Sequence, residues 1–222
     1  MPIIALEGLD GAGKSTQMHL LRERVATLGH PVEYLHFPRF DTPVYGELIA
    51  RFLRGELGEL DPYLVALLFA GDRAAAAPML REWLAEGRWV LLDRYVYSNV
   101  GYQCAKLNDP ADRRRLGEWI VELEFCINAI PRPDLSLFLD VPPIITAQRL
   151  SQTREGADRE YLKGEKDIHE SSPELQRRVR EVYLDAARHD PALRVIDCSD
   201  GADKILPPEE IHKKILTQLE KL

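Results

Sequence analysis

Cysteine is scarce in this chain of 222 residues, with three in all. Cys104, Cys126 and Cys198 form an odd set without a CxxC pair, which excludes a disulfide framework and a thiolate zinc site and leaves them as small core residues. The six histidines show no HExxH spacing, so any metal falls to oxygen ligands. Positive charge is not in excess: 29 basic against 36 acidic residues give a net charge of -7. That balance disfavours broad adhesion to nucleic acid or to an anionic membrane. Runs of the roughly 18 apolar residues that a membrane span needs are missing, and no signal-peptide pattern follows Met1. The expectation is a cytoplasmic protein with neither nucleic acid nor membrane as partner. Internal repeats, low-complexity tracts and Gly/Ser-rich linkers are also lacking, so residues 1–222 read as one domain.

What is present is an alternation of short apolar runs with longer segments of helical period. Ile3 to Glu7, Val32 to His36, Trp89 to Asp93, Leu135 to Val141 and Leu193 to Asp197 have strand length and read as apolar throughout. Helical candidates lie between them: Lys14 to Leu28, Tyr45 to Leu53, Tyr63 to Glu86, Asn99 to Leu107, Ala111 to Ile130 and Ile144 to Gln152. Pro173 opens a further helix to about His189, and Pro207 and Pro208 open a closing one to Leu222. This alternation predicts an α/β fold, a five-stranded parallel sheet with helices on both faces. The segment from Ser151 to Ser172, SQTREGADREYLKGEKDIHESS, stands apart as polar and dense in charge, suited to a mobile loop or a short helical excursion.

The first chemical signal is Gly8, Leu9, Asp10, Gly11, Ala12, Gly13, Lys14, Ser15, which matches GxxxxGK[ST] after a strand and at a helix start. Glycines let the backbone curl its N–H groups around phosphate oxygens, and the helix presents its positive end to the same anion. Lys14 reaches the β and γ phosphates and the Ser15 hydroxyl can join a Mg²⁺ shell. The loop predicts nucleotide binding and leaves hydrolysis, switching and transfer open. The second signal is Asp93-Arg94-Tyr95 at the end of the third strand. Ligands of open parallel sheets gather at carboxyl strand ends, so both side chains are expected to face the crevice of the loop. An aspartate there can hold Mg²⁺ and an arginine can fork two phosphate oxygens.

Together GLDGAGKST, HFPRF, a GDR within a helix, LDRYVYSN, LFLDVPP and a polar segment ending in DxxE make nearly the whole chain similar to the thymidylate kinase family. The resemblance implies a P-loop NTPase-type three-layer sandwich with a mobile lid at about 151–172. It implies transfer of the γ-phosphoryl of ATP to dTMP, giving dTDP and ADP for dTTP synthesis, with Mg²⁺ as cofactor and a homodimer as assembly. On that resemblance ATP is bound by Gly8 to Thr16, including Thr16 itself, and by Arg149 on the adenine side. The acceptor dTMP is bound by Asp10, Phe37, Arg39, Arg73, Arg94, Ser98, Asn99 and Tyr102. Phe37 stacks on the thymine, Arg73 bonds the base edge, and Tyr102 crowds the position of a ribose 2′-OH. Asp10, Lys14, Arg94, Arg154 and Arg159 are the catalytic set, and Ser15, Asp10, Asp93, Asp167 and Glu170 are the metal candidates.

Three departures from the commoner family pattern matter. Arg39 follows Pro38 directly and precedes Phe40, where many members read FPxR. The phosphate loop contains no arginine, so Arg154 or Arg159 of the polar segment is expected to supply that charge. His169 stands where some relatives have tyrosine. The rival readings are a deoxynucleoside kinase and a non-catalytic nucleotide-binding regulator.

Overall fold

The computed structural model describes residues 2–151, 157–165, 167–170, 172–201 and 204–221. Five strands, β1 (Ile3–Gly8), β2 (Val32–His36), β3 (Trp89–Asp93), β4 (Leu135–Asp140) and β5 (Leu193–Asp197), form one sheet in the order β2-β3-β1-β4-β5. All four pairings are parallel. Eight α-helices complete the described fold: α1 (Lys14–Thr27), α2 (Tyr45–Leu53), α3 (Pro62–Ala85), α4 (Val96–Cys104), α5 (Pro110–Glu122), α6 (Pro143–Ser151), α7 (Pro173–His189) and α8 (Pro208–Leu219). A π-helical turn, Leu123–Ile127, follows α5, and a 3₁₀ segment, Ala157–Leu162, lies in the polar segment.

Alternation of side chains along the strands generates the layers. Ile3 and Ala5 of β1 face one core with Val90 and Leu92 of β3, closed by Ala77, Leu80, Leu116 and Ile120 from α3 and α5. Ile4 and Leu6 face the opposite core with Leu91 and Leu137, closed by Met18 and Leu21 of α1 and by Ile211 and Ile215 of α8. Local chemistry starts several helices. The Asp61 and Asp109 carboxylates accept from Tyr63 and Ala111 N–H at 2.8 Å, each ahead of a proline in the first turn, and the Ser172 hydroxyl accepts from Leu175 N–H at 3.2 Å.

Four details differ from the sequence reading. Strands β2 and β5 are the edge strands of the sheet and only half buried, and Glu33 and Arg194 fit that exposure. Helix α4 begins at Val96 rather than Asn99, and all nine of its residues are buried. The α5 helix gives way to the π turn instead of running to Ile130. Cys104 and Cys198 are buried as expected, but Cys126, on the π turn, is exposed. Helix α3 is long and apolar enough to cross a membrane by length and composition, yet its Val65, Ala66, Ala70 and Leu80 are buried in the fold.

Gly46, in the first turn of α2, is where the loop after β2 is pressed tightly onto a helix. A Cβ there would lie 2.3 Å from the Arg39 carbonyl oxygen and 2.9 Å from Thr42 Oγ1. Alanine offers about 1 kcal/mol of helix propensity, whereas overpacking against backbone costs about 1–3 kcal/mol. Gly46→Ala is therefore expected to lower the urea midpoint, and a midpoint equal to or above wild type would contradict the tight packing.

Candidate active site

The carboxyl ends of β1, β2 and β3 open into one cavity of about 1230 Å³ that reaches from the phosphate loop to the polar segment. On the β1 side, Gly11 (φ 78°) and Gly13 (φ 86°) take left-handed conformations that side chains resist, and the Ala12 N–H closes a turn onto the Leu9 carbonyl at 3.2 Å. Leu9 and Ala12 are buried beneath the loop. Lys14 Nζ folds back to donate to the carbonyls of Gly8 (3.3 Å) and Leu9 (3.1 Å). Burial, followed by the neighbouring Arg94, pushes its pKa down to about 8 against the pull of Asp93, Asp10 and Glu7. Ser15 and Thr16 line the cavity at the start of α1. Arg149 of α6 reaches across, its Nη1 donating to the Gly11 carbonyl at 2.7 Å.

On the β3 side Arg94 adopts a left-handed φ of 67°, its N–H bonded to Leu6 of β1 at 2.9 Å. That turn aims the guanidinium back over the loop. Nη1 donates to the Gly8 carbonyl (2.9 Å) and to Ser98 Oγ (3.2 Å), and Nη2 to Asp10 Oδ1 at 2.5 Å. Tyr102 donates its hydroxyl to the other oxygen of Asp10 at 2.7 Å. Burial opposes the charge on Asp10, but Arg94, then Lys14 and the Tyr102 hydroxyl, hold its carboxyl well below the usual carboxylate range. Asp10 is thus a fixed anion. Asp93 is buried, and its Oδ1 has no hydrogen-bond partner among the described residues.

Sequence reasoning missed Glu7. It is fully buried, and its carboxylate accepts from Tyr95 N–H (2.9 Å), the Ser98 hydroxyl (2.6 Å) and the Tyr183 hydroxyl (3.0 Å). Burial, against those hydrogen bonds and Arg94, raises its pKa above the ordinary value. A charge inside an otherwise apolar strand was the available signal.

The far end of the cavity gathers the acceptor candidates. Phe37 is 1% exposed, tilted against Tyr95 with ring centroids 5.7 Å apart, so it presents little more than a face to the cavity. Arg39 is drawn to Asp72: its Nε and Nη2 donate to Asp72 Oδ1 and the Asp72 carbonyl at 2.9 and 2.8 Å. Arg73 is gripped by Glu124, and Asn99 donates to Ala66 O and Glu124. His169 stacks on Tyr102, centroids 4.9 Å apart, and its pKa falls well below the ordinary value, first through burial and then through Lys106. Phe40 stacks face to face on Tyr161 of the polar segment, with centroids 3.7 Å apart and 6° between planes. Asp167 accepts from the Tyr161 hydroxyl (2.8 Å) and from His169 N–H (2.7 Å), and burial and then Asp10 push its pKa up to about 6. Glu170 also lines the cavity. Arg154 and the side chain of Arg159 lie outside the described residues.

A parallel sheet carrying a glycine-rich phosphate loop after β1 and a cationic turn after β3, both facing one crevice, defines a P-loop nucleotide-binding protein. The thymidylate kinase family model matches residues 6–215, and the chain belongs to that family. Among curated relatives, the thymidylate kinase of Mycobacterium tuberculosis is 35% identical over 187 residues, covering 83% of this chain and 85% of its own. The probable thymidylate kinase of Thermococcus kodakarensis is 34% identical over 228 residues, covering 99% and 97% respectively. A solved thymidylate kinase structure from Candida albicans matches with a TM-score of 0.75, 24% identity and coverage of 99% of this chain and 91% of its own, a likeness of fold.

Lys106 borders this region, donating to Gln103 Oε1 at 2.7 Å with its ammonium 4.8 Å from the Phe52 ring centroid. Burial, opposed by Asp167, brings its pKa from 10.5 down to about 8. Between those values the unfolded chain binds the extra proton, so this group's contribution to stability rises with pH through the interval and is flat below it. Relative to Lys106→Met, wild type is expected to gain stability in urea as pH rises from 8 to 10. A pH-independent difference between the two would contradict the depressed pKa.

Proposed function

We propose that this chain is a dTMP kinase that moves the γ-phosphoryl of ATP onto the 5′ phosphate of dTMP, giving ADP and dTDP for dTTP synthesis. Family membership supports the substrate pair, since its members are phosphotransferases acting on dTMP with ATP as donor. The observation that carries the reading for this chain is the bond from Arg94 to Asp10, which sets an acceptor-side cation beside Lys14 in one cavity.

In the proposed reaction an oxygen of the acceptor phosphate attacks the γ phosphorus, a new P–O bond forms, and the bond to the β-phosphate oxygen breaks as ADP leaves. The attacking oxygen is already anionic, so no general base is required, which separates this chemistry from that of a deoxynucleoside kinase. What remains is alignment and neutralisation of spreading charge. Gly8 to Thr16 with Lys14 hold the donor phosphates, Arg149 braces the loop from the adenine side, and Arg94 with Asp10 holds the acceptor phosphate. Arg39 is a second contact for that phosphate, and Phe37, Arg73, Ser98, Asn99 and Tyr102 form the nucleoside pocket. Arg154 and Arg159 close over the donor as part of a lid at about 151–172 in a single domain, excluding water from the transfer.

Mg²⁺ fits the donor set. The buried, unpartnered Asp93 Oδ1 suits a cation or its water shell, and Ser15, Asp10, Asp167 and Glu170 line the same cavity. Mg²⁺ takes few protein oxygens and several from phosphates and water. When bound it would neutralise the polyphosphate. Cytoplasmic location and a homodimer complete the proposal. Exposed Leu64 (54%) and Leu67 (43%) on α3 with Ile127 (68%) offer the apolar surface for the latter, checked by light scattering.

Incubation with ATP, Mg²⁺ and a panel of nucleoside monophosphates tests the activity: dTMP is expected to turn over fastest, and faster turnover of AMP or CMP would overturn the reading. Lys14→Ala should keep the fold and reduce turnover by about 10²-fold or more, the loss typical of removing one preorganised cation or donor. A near-wild-type rate would remove Lys14 from the machinery.

A further inference from the structure

Glu124 was not singled out by any motif, yet it organises one wall of the cavity. It is 0% exposed and sits on the π turn after α5, while Arg73, 2% exposed, comes from the middle of α3. Arg73 Nε and Nη2 donate to the two Glu124 oxygens at 2.5 and 2.6 Å, a parallel two-bond grip. Glu124 Oε1 also accepts from Asn99 Nδ2 at 3.0 Å. The remaining Asn99 amide proton goes to the Ala66 carbonyl (3.1 Å), and Asn99 Oδ1 accepts from Gln103 Nε2 (3.3 Å). One carboxylate therefore fixes two cavity-lining side chains from two different helices.

Stability alone is a poor reason for such a pair, because well-packed apolar residues often replace buried ion pairs without loss. Two consequences for recognition are specific. A guanidinium held on Nε and Nη2 cannot turn about its own axis, so the direction of its Nη1 edge is set, and among the described residues Nη1 has no protein partner. The pairing also cancels the charge of Arg73, leaving a directional donor with little net attraction for phosphate. Arg94, at the other end of the cavity, meets its carboxylate, Asp10, through a single bond from Nη2 rather than a two-bond grip.

We infer that Glu124 is a positioning residue for the acceptor: by gripping Arg73 it presents a directional, charge-compensated Nη1 donor to a pyrimidine carbonyl and keeps the phosphate of the acceptor from occupying the base end of the cavity. The inference rests on the proposed dTMP kinase reading. Wild type is assayed first, and if it fails to phosphorylate dTMP, the proposed function falls rather than the role of Glu124.

With active wild type, Glu124→Gln is expected to raise KM for dTMP about tenfold or more with KM for ATP within about twofold, a split that general loosening would not produce. Inorganic phosphate should also inhibit Glu124→Gln more strongly than wild type, because Arg73 then carries an uncompensated charge. A companion pair covers the case in which that variant does not fold: Arg73→Met alone and Arg73→Met with Glu124→Met. If Glu124 acts through Arg73, the double variant should bind dTMP no worse than the single one. Parallel changes in both KM values, unchanged phosphate inhibition, or losses that add in the double variant would each overturn the inference.

Discussion

The contact between Asp10 and Arg94, 2.5 Å from guanidinium to carboxylate, joins the loop after β1 to the turn after β3, two parts of the chain that the sheet brings side by side. Parallel pairing sets Leu6 of β1 opposite Asp93 of β3, so the loop after one strand and the turn after the other emerge side by side. The ion pair then fixes their spacing. It also resolves an electrostatic conflict. Arg94 depresses the pKa of Lys14, and Asp10 offsets both cations. Because Glu7 holds Ser98 and the Tyr95 N–H from below, the Arg94 side chain has a braced neighbour on each side. Preorganised charge of this kind needs little rearrangement when a ligand enters.

The strands and the phosphate loop were legible because their causes are local: a short apolar run, a glycine where φ must be positive, a lysine and a hydroxyl at the helix start. Asp93 and Arg94 were legible because strand ends in such sheets share a crevice. What escaped had distant causes. Helix α4 was placed three residues late because its first turn is capped by no neighbouring serine or aspartate; the Tyr95 N–H is satisfied by Glu7 from β1. Glu124 escaped because its partner, Arg73, lies on another helix, and because a π turn departs from the 3.6-residue period by which a helical face is read. Arg39 was expected to meet the acceptor, and nothing in its own segment disclosed Asp72 on α3 as its partner.

The polar segment shows the same division. Its charge density marked it as different, but composition did not disclose how its described residues are anchored. Ile168 N–H bonds the Leu53 carbonyl at 2.9 Å, and Arg54 Nη1 reaches the Tyr161 carbonyl at 2.5 Å, so the last residue of α2 and the one that follows it supply a backbone and a side-chain anchor together. Buried His169 then stacks on Tyr102, bringing the segment next to the side chains that hold Asp10.

The Phe40–Tyr161 stack has a consequence for how this sequence can drift over evolutionary time. Each ring is the flat neighbour of the other, and the Tyr161 hydroxyl is tethered to Asp167. A lineage that exchanges Phe40 for an aliphatic residue strips one face of a tyrosine that cannot turn away, while loss of Tyr161 bares Phe40 and frees a carboxylate at once. Positions 40 and 161 should therefore change in concert among close descendants, although far apart in the chain.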